Sequence, residues 1–189
     1  GRELDEDTLV AARDFYADAG FGVTGGIATV AGEDFGVAEN TDFNWFNYQA
    51  QKTRDDLERV MRRAARVFDR FIVDDFWCTM DTSPSSVEAK GDRDWGEYRR
   101  ALMTGVAKEV IINPAREENP DIHLIVKYPQ WYDRFHLFGY DVETFPRLFD
   151  EVYVGTETRG QYTQRFGFTQ PYEGFVNYRW LAGLAGNKI

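Results

Sequence analysis

Two adjacent carboxylates, Asp74 and Asp75, follow directly on the apolar run Phe71-Ile72-Val73, and two aromatic residues, Phe76 and Trp77, follow them. A run rich in β-branched and aromatic residues reads as a buried strand, so charge enters where that strand leaves the core. In a parallel α/β sheet, ligands and catalytic groups gather outside the carboxyl ends of the strands. The pair is therefore placed for proton transfer or nucleophilic attack. Neighbouring strand residues face opposite ways, so one of the two carboxylates is expected to meet a ligand while the other braces a loop or a helix N-terminus. Asp75, nearer the strand end, is favoured for the ligand. The alternative reading gives both residues to turn and capping chemistry.

The same pattern recurs twice. Ile122 to Val126 leads into Lys127-Tyr128-Pro129, and Val152-Tyr153-Val154 leads into Gly155-Thr156-Glu157 with Arg159 just beyond. Read as strand ends around one mouth, these residues supply carboxylates, cations and aromatic platforms. Cleavage of a glycosidic bond needs such a set: one carboxyl to protonate the leaving oxygen, a second as nucleophile or base, and rings beside the sugar. A neighbouring carboxylate raises, and a neighbouring Lys lowers, the pKa of the group that must hold its proton. The expected catalytic residues are Asp75 and Glu157, with Asp74 beside them. The expected substrate contacts are Trp77, Lys127, Tyr128, Trp131 and Arg159. Each has a structural alternative, such as a Lys127 ion pair with Asp74 or Asp75, or a Glu157 that caps a helix or pairs with Arg159. Trp95 and Trp180 fall at helical positions and are expected in the core. Cys78 reads as a small packing residue.

Strands and helices alternate around these points. Residues 5 to 18 carry an amphipathic helix through Leu9, Ala12, Phe15 and Tyr16, ended by Gly20. Residues 21 to 30 read as a strand whose backbone is closely approached or bulged at Gly25-Gly26. Residues 31 to 52 form a long loop dense in aromatics, a length that usually signals function. Thr53 and Asp56 have capping-box spacing at the head of a helix whose apolar face is Leu57, Val60, Met61, Ala64 and Phe68. Its Arg54, Arg59, Arg62, Arg63 and Arg66 read as a solvated face. A second long helix covers 94 to 112 until Pro114 interrupts or ends it. Short helical turns over 142 to 148 and a helix over 171 to 185 on Phe175, Tyr178, Leu181 and Leu184 complete the set.

Alternation of this kind points to right-handed β-α-β units and a parallel sheet. The expected class is α/β, a parallel (β/α)8 TIM-barrel-like fold of which only a segment is present, because 189 residues hold four strands and a complete barrel takes about 250 residues. The chain is read as a single domain whose further strands lie outside it, so the rest of a larger chain or self-association is expected to cover its sheet edges. An open doubly wound sheet is the competing fold, but no Gly-x-Gly-x-x-Gly follows a strand. The net charge of −10 argues against nucleic acid as a partner, and no apolar run approaches a membrane span. One cysteine excludes an internal disulfide, and neither metal-ligand spacing nor a cofactor motif is present. A carbohydrate is the expected partner, with no cofactor and no metal. Localisation stays open, with secretion or a periplasmic site included.

Asp74-Asp75-Phe76-Trp77 at a strand end resembles the Asp-Asp-x-Trp signature of α-galactosidase-like barrel glycosidases, and Lys127-Tyr128 is similar to their Lys-x-Asp segment. The resemblance covers these two motifs and the strand-helix rhythm of residues 55 to 160. It implies a (β/α)8 glycoside-hydrolase-like domain. Pro129 stands where that family has its nucleophilic Asp, and this departure supports the alternative of a non-catalytic carbohydrate-binding or scaffolding barrel. An oxidoreductase or metal-dependent lyase on the same fold is less favoured, for want of a cofactor motif or a His-rich set.

Overall fold

The computed structural model describes residues 5–32, 34–38, 44–74, 76–155 and 171–189. Four strands form one sheet: β1 (Gly25–Ile27), β2 (Arg70–Val73), β3 (His123–Tyr128) and β4 (Glu151–Val154). All neighbours are parallel, in the order β1-β2-β3-β4. Four parallel strands side by side in sequence order are what the alternation predicts, and the order never reverses among them. Gly25 explains the glycine-rich first strand, since a Cβ there would lie 2.5 Å from the Phe68 ring and 2.7 Å from that of Phe71. Close approach by the next strand thus excludes a side chain.

Alternation along the strands separates two faces. Phe71, Val73, Leu124, Val126, Tyr128 and Val152 are buried in one core with Leu57, Met61, Met103 and Val106 from the helices. The intervening residues Arg70, Ile72, His123, Lys127, Glu151 and Tyr153 point to the other face and keep contact with solvent, while Ile125 between them is buried.

Helix α1 (Glu6–Asp18) starts at Asp5, whose carboxylate accepts the Thr8 N–H at 2.9 Å. Its expected apolar face is not buried: Phe15 and Tyr16 are exposed, and only Leu9 and Val10 touch the core. Helix α2 (Gln51–Val67) begins two residues before the expected cap, at an Ala50 that makes no side-chain cap bond. Thr53 and Asp56 serve the preceding loop instead. The Thr53 hydroxyl accepts the Val37 N–H at 2.9 Å, and the Asp56 carboxylate accepts that of Gly36 at 2.8 Å. Gly36 has φ +68 and presses on Phe46, so the loop folds onto the helix at a point where only glycine fits. The arginine face is also more than solvated. Arg54 pairs with Glu109 at 2.6 Å, Arg62 with Glu117 at 2.7 Å and Arg66 with Glu6 at 2.9 Å, which ties α2 to elements on both sides.

After α3 (Pro84–Lys90) comes α4 (Trp95–Val106), capped by Asp94. Pro114 does not end this helical run. A π-helical segment, Ala107–Ile112, takes up an extra residue, and α5 (Asn113–Glu118) continues beyond it. The Asn113 N–H donates to the Lys108 carbonyl five residues back. Widening the turn before the proline relieves the clash and the missing donor that proline brings to a regular helix. Short helices α6 (Phe135–Phe138) and α7 (Phe145–Leu148) lie between β3 and β4, and α8 (Pro171–Ala185) follows β4. In α8 the buried positions are Asn177 and Leu181, whereas Phe175 is 65% exposed and Tyr178, Trp180 and Leu184 are also exposed. Three of the four residues expected to face the core, and Trp180, therefore lie at the surface. No helix among the described residues is long and apolar enough to cross a membrane.

Candidate functional site

The β1–β2 ladder runs one residue past β2, with the Asp74 N–H donating to the Ile27 carbonyl at 2.9 Å. Asp74 thus stands at the carboxyl end of its strand on the face opposite the helical core. Lys127, on the adjacent strand and the same face, brings Nζ to 3.0 Å from Asp74 Oδ1. The lysine side chain is 12% exposed and the aspartate 43% exposed, so an ammonium largely withdrawn from water keeps a carboxylate partner. Tyr153 is the register partner of Lys127 on β4 and is 54% exposed. Asp74, Lys127 and Tyr153 therefore form one row across three strand ends. Sequence reasoning named the first two and passed over Tyr153, although its strict alternation with Val152 and Val154 carries the signal.

Beside this row four rings close a cycle. Trp45 meets Phe76 at 6.1 Å between centroids, Phe76 meets Trp131 at 5.8 Å, Trp131 meets Phe138 at 5.8 Å, and Phe138 meets Trp45 at 5.7 Å. All four are partly buried against the core. They arrive on the segments that follow β1, β2 and β3, with Phe138 at the end of α6. Phe76 has φ +67, a left-handed conformation that costs a bulky residue on the order of 1–3 kcal/mol. The turn is closed by the Cys78 N–H on the Phe76 carbonyl at 2.6 Å.

That turn also corrects an expectation. Trp77 is fully buried, packed edge-on to Tyr48 at 5.8 Å, and offers no face to a ligand. Trp77 falls at the same parity as Phe71 and Val73, the helix-facing side of the strand, and it is buried with them. Tyr128 is likewise buried. It shares the helix-facing parity of Leu124 and Val126, its hydroxyl donates to the Asp141 carbonyl at 2.8 Å, and burial pushes its pKa up. Trp131, by contrast, stands in the ring cycle. Asp75, Glu157 and Arg159 lie outside the described residues. Pro129 is buried directly behind Tyr128.

Two devices hold the site's loops. Asn47 donates through Nδ2 to the hydroxyls of Ser83 at 3.1 Å and Ser85 at 2.9 Å, while the Thr79 hydroxyl donates to the Phe46 carbonyl at 3.0 Å. The loops after β1 and β2 are thereby joined. The buried Asp81 carboxylate accepts the hydroxyls of Ser83, at 2.7 Å, and Ser86. At the opposite, amino end of the strands, Glu151 receives Arg70 at 2.8 Å and His123 at 2.9 Å. Burial opposes ionisation of Glu151, but the hydrogen bonds from His123 and Arg70 outweigh it and hold its carboxyl below the usual range. Among the described residues no group of three or more His, Cys, Asp or Glu side chains is arranged to hold a metal ion.

The profile of a family described as "probable glycosyl hydrolase, catalytic domain" matches residues 2–189. An uncharacterized protein of Saccharolobus solfataricus is 28% identical over 211 aligned residues, covering 100% of this chain and 34% of that protein. The chain thus spans about a third of the length of this curated relative. No solved structure matches.

Proposed function

Since the chain belongs to the probable glycosyl hydrolase catalytic-domain family, we propose that it binds carbohydrate and hydrolyses glycosidic bonds at the carboxyl ends of its parallel strands. The observation that carries the reading is the Asp74–Lys127 pair at adjacent strand ends beside the ring cycle of Trp45, Phe76, Trp131 and Phe138. A paired Lys and Asp supply donors and acceptors for sugar hydroxyls, and rings take the apolar face of a pyranose. In this reading Asp75 and Glu157 are the acid/base or nucleophile pair. Asp74, Lys127 and Arg159 orient the sugar, and Trp131 stacks on it. The fold that suits this chemistry is a (β/α)8 barrel. Three features support it: the unreversed strand order, the second sheet face left open, and an α8 that is apolar on its exposed sides. Closure then draws on further β/α units, from a longer polypeptide or a second copy.

The test is turnover of a panel of 4-nitrophenyl glycosides of both anomers. Asp75→Asn and Glu157→Gln are each expected to lower kcat by about 10³-fold or more while leaving sugar affinity nearly unchanged, because the amides keep shape and lose proton transfer. Activity that survives both substitutions rules the assignment out. The second reading, a barrel that binds sugar without cleaving it, is favoured by Pro129 at the position where an α-galactosidase-like nucleophile is expected. It predicts saccharide binding with no turnover of any glycoside in the panel.

A further inference from the structure

We propose that Arg99, which touches none of the four rings, is a positioning residue that sets the spacing of the aromatic platform. Arg99 lies on α4 and is 3% exposed. Its guanidinium donates to the Leu137 carbonyl at 2.8 Å, to the Met80 carbonyl at 3.3 Å and to the Asp81 carbonyl at 3.5 Å. It also stacks over Trp95 at 4.6 Å. One cation thus grips a loop and a short helix. The loop continues from Phe76, and the helix is α6, which carries Phe138. A direct bond between the two, from the Thr79 N–H to the Phe138 carbonyl at 3.0 Å, runs beside the clamp. α4 is pressed so tightly on α6 and its C-terminal turn that two glycines are required. A Cβ on Gly96 would stand 2.6 Å from the His136 carbonyl, and one on Gly139, at φ +88, would stand 2.9 Å from the carbonyl of Arg99 itself.

The chemistry explains why the residue is an arginine. The three carbonyls lie where a planar fork with five donors reaches them together, and a lysine ammonium on a flexible stem does not. Burial pushes the guanidinium pKa down, and the nearby Asp81 charge opposes that shift, so the cation remains charged among its carbonyl acceptors. Holding the rings to a fraction of an ångström from behind is the role of a supporting residue in a binding site.

The inference rests on the carbohydrate reading for its functional consequence, and the experiment keeps the two apart. In a Trp95→Phe, Trp180→Phe background, Trp45 and Trp131 report on the platform and Trp77 remains buried. Arg99→Met is expected to raise the acrylamide quenching constant at least about twofold, and Arg99→Lys to give an intermediate value, measured well below the melting temperature of each variant. For whichever 4-nitrophenyl glycoside the parent protein hydrolyses, Arg99→Met is expected to raise KM by roughly tenfold with kcat changed by less than about twofold, since misplaced rings weaken binding without touching the reacting atoms. Quenching equal to the parent's overturns the proposal, and so does a lowered melting temperature as the only effect. If Arg99→Met does not fold, Arg99→Lys decides alone: a raised quenching constant supports the clamp and an unchanged one refutes it. A parent protein that hydrolyses no glycoside counts against the glycosidase reading, while the quenching arm still decides the role of Arg99.

Discussion

The two faces of the sheet are made from alternate residues of the same four strands, yet they are built on different principles. On the helix-facing side Phe71, Val73, Leu124, Val126, Tyr128 and Val152 are all buried, and their contribution is area removed from water. On the other side the residues come in levels: Arg70 and His123 at the amino end, Ile72, Ile125 and Glu151 in the middle, with the Glu151 carboxylate reaching back to Arg70 and His123, and Asp74, Lys127 and Tyr153 at the carboxyl end. Polar groups on a sheet face are stable only where each finds a partner, and at the carboxyl end Lys127 and Asp74 partner one another. The first face holds the protein together, and the second is the one on which the proposed function depends.

Substitutions can break this contrast. Leu124→Ala, on the closed face, is expected to cost about 2–5 kcal/mol in urea or thermal unfolding, from lost transfer energy plus a cavity. Tyr153→Ala, one strand over on the open face, is expected to cost less than about 0.5 kcal/mol. A large loss at Tyr153 would mean that the open face is covered in solution, and light scattering would then show an assembly. Asp56→Asn addresses the loop that descends from β1. Burial opposes ionisation of Asp56, but bonds from Lys52, Gly36 and Arg59 outweigh it and bring its pKa down to about 2, below the ordinary aspartate value of 3.8. A depressed carboxyl pKa stabilises the folded state above the unfolded value. That contribution, on the order of 2 kcal/mol, is fully present above about pH 4 and fades as pH falls towards 2. Asp56→Asn should flatten the stability curve in that window and leave the site row intact.

Lys127→Met sharpens the functional side of the contrast. It removes the cation from Asp74, which is nearly half exposed, so stability should fall by no more than about 1 kcal/mol. Saccharide affinity by calorimetry should fall by about tenfold or more. A small net stability change is also expected at Phe76→Gly. Relief of the left-handed backbone offsets, within about 1 kcal/mol, the ring contacts given up, while quenching of Trp45 and Trp131 by acrylamide rises.

The parallel rhythm was legible because an apolar run followed by polar groups recurs at Val73, Val126 and Val154, and the pairing of Asp74 with Lys127 follows from where those runs stop. Lys127 and Tyr128 as joint ligand contacts contradict strand alternation itself, which sends neighbours to opposite faces, so that correction was available in the sequence. The burial of Trp77 was available too, since it shares the parity of Phe71 and Val73; nothing local announces the left-handed Phe76. The ring cycle was hidden for the same reason, since Trp45, Phe76, Trp131 and Phe138 are brought together only by tertiary structure. Thr53 and Asp56 have the spacing of a cap, but the loop at Gly36 and Val37 competes for the same acceptors and takes them. The exposed aromatics of α1 and α8 show that periodicity marks an apolar face without saying what will cover it.

The π-helical segment Ala107–Ile112 makes chain length a structural variable. In a regular α-helix one extra residue would shift the azimuth of everything downstream by about 100°, but the wider π turn absorbs it and leaves the helix beyond in register. Arg116 then reaches Asp150 at 3.0 Å and Glu117 reaches Arg62 at 2.7 Å. A single-residue deletion between 107 and 112 would rewind the segment to regular α-helix and keep both ion pairs. In sequences descended from a common ancestor with this one, a one-residue gap should be tolerated at that point and be rarer elsewhere along the helical run.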